Sequence, residues 1–110
     1  MRVAELEGAT LDYWVHRALL LGDRFEATEG AMPVPQYSID WILAEPILEH
    51  EQIFFEDGVD GSACKAWKAN TKIHHTGKTS LIASMRCFVA SKFGEEVEDA
   101  PQNAVGPHNS

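Results

Sequence analysis

The stretch from Ser80 to Gly94, SLIASMRCFVASKFG, sets the narrowest limits on the possible fold. Its large apolar side chains recur at steps of three and four residues, so they share one stripe of an α-helix. Thr79 can cap the first turn, and Gly94 can end the helix in a left-handed conformation. The stripe consists of Leu81, Ile82, Met85, Phe88, Val89 and Phe93, while Ser84, Arg86 and Ser91 are predicted to lie off it. We therefore expect the other segments of the chain to cover this stripe.

A second amphipathic helix is predicted near the N-terminus. It would run from a cap at Thr10 to Leu21, and Gly22 would supply its stop. Its buried stripe would consist of Leu11, Trp14, Val15, Ala18 and Leu21.

The segment between this helix and the middle of the chain has no regular period. Residues 22–36 include glycine and two prolines, which favours a surface loop. Short turns are predicted to follow it, because Ser38 could cap one helical turn and Pro46 suits the first position of another.

Two segments have the composition of β-strands, Ile53–Glu56 and Cys64–Asn70, and the turn-rich sequence DGVDGS lies between them. This pattern predicts a β-hairpin. Thr71–Gly77 is predicted to be a second loop that leads into the last helix.

The predicted fold class is α+β, with the order helix, long loop with short turns, antiparallel hairpin, helix. A two-stranded hairpin is marginal alone, so both amphipathic helices are expected to pack on one face of it. Phe54 or Phe55, together with Trp67, would fill the layer between. Residues 1–94 are expected to form a single globular domain, and residues 95–110 an acidic, disordered tail.

Charge is divided unevenly along the chain, whose net charge is −8 at pH 7. Residues 1–60 carry −10, whereas residues 61–94 carry +6 and contain no Asp or Glu. An acidic total argues against a protein whose main work is to coat phosphate backbones. The hairpin would set the acidic segment Glu51–Asp57 beside Lys65 and Lys68, which would account for part of the division.

Several classes of protein lack support in the sequence. The apolar runs are too short to cross a bilayer and the N-terminus has no apolar run of a signal peptide, so we expect no membrane contact and a cytoplasmic location. Cys64 and Cys87 are expected to be free thiols. The histidine spacing predicts no metal site, nothing predicts a cofactor, and no Ser or Cys lies in a catalytic motif. We therefore predict that the chain is not an enzyme; an enzyme would need a concave site with buried Asp, His or Cys.

Tyr37, Asp40 and Trp41 form the first candidate binding site. They lie in the segment YSIDW, where aromatic and acidic groups follow a long loop, a composition found at recognition surfaces. In the alternative interpretation Trp41 fills the core and Ser38 or Asp40 satisfies backbone amides.

Lys72, His75, Lys78 and Thr79 form a second candidate site, for an anion. The sequence Gly-Lys-Thr at the start of the last helix is similar to a phosphate-binding loop, but Lys72 stands where the full pattern requires its first glycine. Free amides, the helix dipole and the cations would still attract a phosphate or a carboxylate. The alternative is a capped helix with solvated loop cations.

Motifs across most of the chain resemble those of the NinX-type family of lambdoid phage and prophage proteins. They are LEGATLDYWVHRAL near the start, YSIDW and EPILEHEQI in the middle, the strand KAWKA, and GKTSLIASMRCFVASKFGEEVE at the end. The resemblance implies a phage-derived bacterial gene, and it implies no reaction, cofactor or catalytic residue.

Together these features predict a prophage-derived accessory protein that binds another macromolecule without catalysis. A protein partner is expected at the YSIDW segment. The alternative is contact with an anion or nucleic acid through the basic segment 65–92 and the N-terminus of the last helix. The sequence predicts no particular oligomeric state.

Overall fold

The computed structural model describes residues 1–23 and 35–98. A short 3₁₀ turn, Val3–Glu5, precedes three α-helices and three β-strands. In chain order these are α1 (Gly8–Asp23), α2 (Trp41–Glu51), β1 (Ile53–Glu56), β2 (Cys64–Lys68), β3 (His74–Gly77) and α3 (Ser80–Phe93). The predicted α+β class is confirmed, while most of the predicted loop 22–36 lies outside the described residues.

The three strands form one antiparallel sheet in the order β1-β2-β3. The predicted hairpin is confirmed, with Glu56 opposite Lys65 across β1 and β2. Lys68 Nζ lies 3.1 Å from Glu51 Oε1, so the expected neutralisation of basic side chains occurs. The prediction of a loop over Thr71–Gly77 is wrong for its second half, because His74–Gly77 pairs with β2 as a third strand.

α3 is the helix around which the other elements pack. It contacts all three strands, both other helices and the 3₁₀ turn. Thr79 caps it as predicted, since its Oγ1 accepts a hydrogen bond of 3.0 Å from the Ile82 amide. Gly94 ends it with φ +91° and ψ −171°, a positive-φ region that glycine alone adopts readily.

The prediction that Ser84 lies off the buried stripe of α3 is wrong. Its side chain is fully buried, and its hydroxyl donates to the Ser80 carbonyl at 2.7 Å. α3 is covered on more sides than one amphipathic stripe implies, because α1 and the sheet both pack against it. A serine can occupy such a position when its hydroxyl bonds to the preceding turn.

α1 begins earlier than predicted, at Gly8 instead of after a cap at Thr10, and it continues through Gly22. The predicted stripe residues Leu11, Trp14, Val15 and Ala18 are all buried. The side chain of Leu21 lies outside the described residues.

The side chains that the sheet buries under α3 are not the predicted ones. α3 packs on the face that carries Ile53, Ala66, His75 and Gly77, all of them buried. The prediction that Trp67 and a β1 phenylalanine fill this layer is wrong, because Phe54, Phe55 and Trp67 are all exposed. Side chains alternate along a strand, so burying Ile53 and Ala66 directs Phe54 and Trp67 to the other face.

α2 replaces the predicted short turns with one continuous helix, in which Pro46 is internal. Asp40, not Ser38, caps this helix: its carboxylate accepts from the Ile42 amide at 3.0 Å. A proline inside a helix removes one intrahelical hydrogen bond, here to the carbonyl of the strongly exposed Ile42. Burial of Ala44, Ile47 and Leu48 favours the helix despite this loss.

The chain remains packed beyond the predicted domain end at Gly94. The Val3 amide donates to the Glu95 carbonyl at 2.9 Å, and the Val97 amide donates to the Met1 carbonyl at 2.9 Å. Val97 is buried. Residues 95–98 therefore contact the N-terminus, and the predicted disorder of 99–110 stays a prediction, because those residues lie outside the described part.

We expect Gly77→Ala to lower the free energy of unfolding by about 1–3 kcal/mol through overpacking. A Cβ at this position would lie 2.8 Å from Ile82 Cγ2 and 2.9 Å from the Ala83 nitrogen, at the contact between β3 and α3. Thr76→Ala, on the opposite face of the same strand, is the matched control and should cost much less. Urea unfolding measures both. Equal stabilities of the two variants would contradict the close approach of α3 to β3.

Candidate functional site

The segment from Tyr37 to Trp41 is anchored to α1 at its first half. The Ser38 amide donates to Asp12 Oδ1 at 2.7 Å, and both residues are buried. The Tyr37 hydroxyl lies 3.2 Å from His16 Nδ1. α1 thus fixes the position of the segment that precedes α2.

Burial is the largest cause of the pKa shifts of Asp12 and Tyr37 in this anchor. It raises the pKa of Asp12, and the hydrogen bonds from Ser38 lower it by less. Burial also raises the pKa of Tyr37, and the nearby Asp12 charge adds to the shift. Tyr37 therefore keeps its phenolic proton and serves as a structural contact between the segment and α1.

Trp41, in contrast, begins α2 with 43% of its surface exposed. Its ring lies 5.2 Å from the ring of Phe55, which is 40% exposed. Ile39 and Ile42, its near neighbours in sequence, are 68% and 83% exposed. We call Ile39, Trp41, Ile42 and Phe55 the Trp41 surface. The Trp41 and Phe55 rings form one exposed aromatic pair, and large exposed apolar side chains in contact with each other are typical of an interaction site.

The predicted site of Tyr37, Asp40 and Trp41 is therefore divided by the structure. Tyr37 is buried, Asp40 caps α2, and Trp41 alone presents a large apolar surface. The sequence pattern does not indicate Ile39, Ile42 or Phe55 as part of this surface. An available signal for Phe55 was strand alternation, since Phe54 and Phe55 are adjacent in β1 and must point to opposite faces.

The four residues of the predicted anion site do not converge. Lys72 precedes β3 and Lys78 follows it, so they lie at opposite ends of that strand. His75 is buried, with its Nε2 2.7 Å from Glu95 Oε1. The Thr79 hydroxyl is used as the cap of α3.

The N-terminus of α3 already has a carboxylate of its own chain beside it. Asp57, from the turn after β1, accepts a hydrogen bond from the Ser80 hydroxyl. A negative charge at a helix N-terminus is favourable. Asp57 would therefore repel an external anion from this position.

Much of the positive charge of residues 61–94 is also paired within the chain. Lys68 and Lys92 lie 3.1 and 3.4 Å from the carboxylate oxygens of Glu51. Although burial alone raises the pKa of Glu51, the hydrogen bonds from Lys68 and His50 and the charges of both lysines hold that pKa below its ordinary value. Arg86 donates to the carbonyls of Leu6 and Thr76 at 2.8 and 2.7 Å.

Buried Asp, His and Cys side chains occur, but each is engaged by the fold. Cys87 is fully buried, and burial, with the Glu95 charge, raises its pKa to about 12 despite a hydrogen bond from the His75 backbone. A thiol with that pKa is not a nucleophile near neutral pH.

In the described part of the chain no three His, Cys, Asp or Glu residues group as a metal site would require. No helix there is long and apolar enough to cross a membrane.

A family model described as "Bacteriophage P22, NinX" matches residues 2–92. The match covers α1, α2, the whole sheet and nearly all of α3. It confirms the resemblance drawn from the sequence motifs. A search of curated proteins gives no match.

Asp12 provides a test of the anchor. Asp12→Ala leaves the buried Ser38 amide without its acceptor and should cost about 1–3 kcal/mol of unfolding free energy. Asp12→Asn keeps an acceptor oxygen and removes the buried charge, so it should cost less than the alanine variant at neutral pH.

The raised pKa of Asp12 predicts how the stability of wild type, compared with Asp12→Asn, depends on pH. A carboxyl whose pKa is raised by folding stabilises the protein most when protonated. Wild type therefore loses stability relative to Asp12→Asn as the pH rises from the unfolded-state pKa through the folded-state pKa. Urea unfolding at several pH values measures this difference. A difference that stays constant, or equal losses in the Asn and Ala variants, would contradict the buried-acceptor role of Asp12.

Proposed function

Given that the chain belongs to the bacteriophage P22 NinX family, we propose that it is a phage-derived accessory protein that binds another protein in the bacterial cytoplasm without catalysing a reaction. The observation that carries this proposal is the Trp41 surface, where the exposed Trp41 and Phe55 rings lie 5.2 Å apart and the sequence neighbours Ile39 and Ile42 are 68% and 83% exposed.

The arrangement of this surface suits recognition. The buried Asp12–Ser38 hydrogen bond and the Asp40 cap hold the start of α2 in place, so its exposed side chains are preorganised. Preorganised aromatic and aliphatic anchors lose little entropy on binding, and tryptophan is among the residues most enriched at binding hot spots. The exposed Glu45 and Glu49 lie on the same helix and would provide a polar, acidic rim.

The proposal includes the absence of catalysis, because the buried thiol, carboxyl and imidazole groups each have a partner within the fold. Cys87 is held as a neutral thiol, Asp12 accepts from a backbone amide, and His75 faces Glu95. Each of these groups has a structural partner that accounts for its burial.

The alternative function, contact with an anion at the start of α3, has weaker support. Asp57 places a negative charge at that helix end, and Lys72 and Lys78 lie at opposite ends of β3.

The proposal predicts the outcome of affinity capture from lysate of a phage-carrying bacterium. Wild type should recover a defined protein, and Trp41→Ala and Ile42→Asp should lose it. Ile42→Asp suits the fold, because an acidic residue in the first turn of a helix is favourable. Trp67→Ala is the matched control, since Trp67 is exposed to a similar extent on the other face of the sheet.

The captured protein, once purified, should bind wild type in calorimetry and bind Trp41→Ala about tenfold or more weakly, as expected for a hot-spot tryptophan. Thermal unfolding of each variant confirms that it is folded. Recovery of no protein, or recovery unchanged by both substitutions, would overturn the proposal.

A further inference from the structure

The sheet face opposite α3, which we call the outer sheet face, presents a row of aromatic rings. Phe54, Trp67 and His74 are Cα partners across the three strands, so their side chains stand side by side. The Phe54 and Trp67 rings are 6.3 Å apart and 37° from parallel. Phe54 is 51% exposed, Trp67 is 40% exposed and His74 is exposed.

This row is independent of the Trp41 surface. Phe55 points to the face on which α3 packs and meets Trp41, whereas Phe54 and Trp67 point away from it. The two exposed tryptophans thus serve different faces of the sheet. A ligand on one face would leave the tryptophan of the other face uncovered.

Exposed lysines border the row together with the acidic Glu56, although the chain as a whole is acidic. Lys65 lies in the neighbouring row of the outer sheet face, opposite Glu56, and Lys72 and Lys78 flank the two ends of β3. All three lysines are exposed. Residues 61–94, which include β2 and β3, contain no Asp or Glu.

We propose that the outer sheet face binds single-stranded nucleic acid, with unpaired bases stacked on Phe54, Trp67 and His74 and phosphates near Lys65, Lys72 and Lys78. Bases have aromatic faces that stack on such rings with little regard to sequence. The short row fits two or three bases, as on other sheets that bind single strands through aromatic side chains. The bases of a duplex are already stacked on one another, so a duplex cannot use the row.

The same geometry predicts modest and salt-sensitive affinity. Three lysines contact few phosphates, and the net charge of −8 repels nucleic acid at a distance. Stacking must therefore supply much of the binding, which distinguishes this surface from one that merely attracts polyanions.

The experiment is a titration of a labelled oligodeoxythymidylate of about ten nucleotides, within the site size of small single-strand binding folds, with the full chain at several salt concentrations. Anisotropy should show saturable binding, and the same label on a duplex should bind about tenfold or more weakly. The slope of log K against log salt should be about −2, from three phosphate contacts.

Matched variants assign the binding to the outer sheet face. Trp67→Ala and Phe54→Ala should each weaken binding about 5- to 150-fold, the range expected for loss of one stacked base. Trp67→Phe, which keeps a smaller ring, should restore part of it, and Trp41→Ala should bind as wild type does. Thermal unfolding confirms that the variants are folded.

Three results would overturn the inference. One is the lack of saturable binding at low salt. Another is binding that survives Trp67→Ala and Phe54→Ala unchanged, which would mean electrostatic adherence alone. The third is a dimer in sedimentation velocity that Trp67→Ala converts to monomer, because the outer sheet face would then be an interface between two copies of the chain. None of these results bears on the Trp41 surface, whose own test uses a protein partner.

Discussion

The burial of α3 is the constraint on which the rest of the structure depends. Nine of its 14 residues are buried, and the sheet, both other helices and the 3₁₀ turn all contact it. A helix covered this widely needs close neighbours, and β3 provides one at Gly77, where no side chain separates strand from helix. β2 contributes the small, fully buried Ala66 to the same sheet face. Small residues on the inner face let α3 approach, and the alternation of strand side chains then directs Phe54 and Trp67 outward. The packing of the core thus creates the aromatic outer sheet face.

Electrostatic pairing within the chain determines which charges remain available to a partner. Glu51 forms salt bridges with Lys68 and Lys92. Arg86 donates hydrogen bonds to two carbonyls, and Asp57 lies beside the N-terminus of α3. A basic stretch of sequence is therefore not a basic surface as a whole. The exposed lysines of this stretch that lie outside these pairs, Lys65, Lys72 and Lys78, are found around β2 and β3. They border the outer sheet face, which also carries Glu56 opposite Lys65.

In the segment before α2, the residues that anchor it to α1 are different from the residues that are exposed to a partner. Asp12 and His16 of α1 contact its buried first half, at Ser38 and Tyr37, whereas Trp41 and Ile42 emerge at the start of the helix. A buried carboxylate is tolerated here because it accepts from a backbone amide, although burial still raises its pKa. Such an anchor fixes the direction of the exposed side chains without using them. The fold therefore carries two exposed apolar surfaces, each supported by well-packed residues.

The periodic elements follow from the sequence alone. It specified α3 with its Thr79 cap, the buried stripe of α1, the β1–β2 hairpin with its acid–base pairs, and the α+β class, because these depend on local spacing and capping chemistry. Only the tertiary structure decided which face of each element is covered. The pattern places Trp67 in the layer between helices and hairpin, yet it is exposed, and places Ser84 off the buried stripe, yet it is buried. His74–Gly77 forms a strand although it has no apolar alternation. Period tells which residues share a face, whereas the choice between faces depends on the total burial that distant segments achieve together. Pro46 shows the same limit, since a local signal for a helix start was outweighed by the burial of one continuous helix.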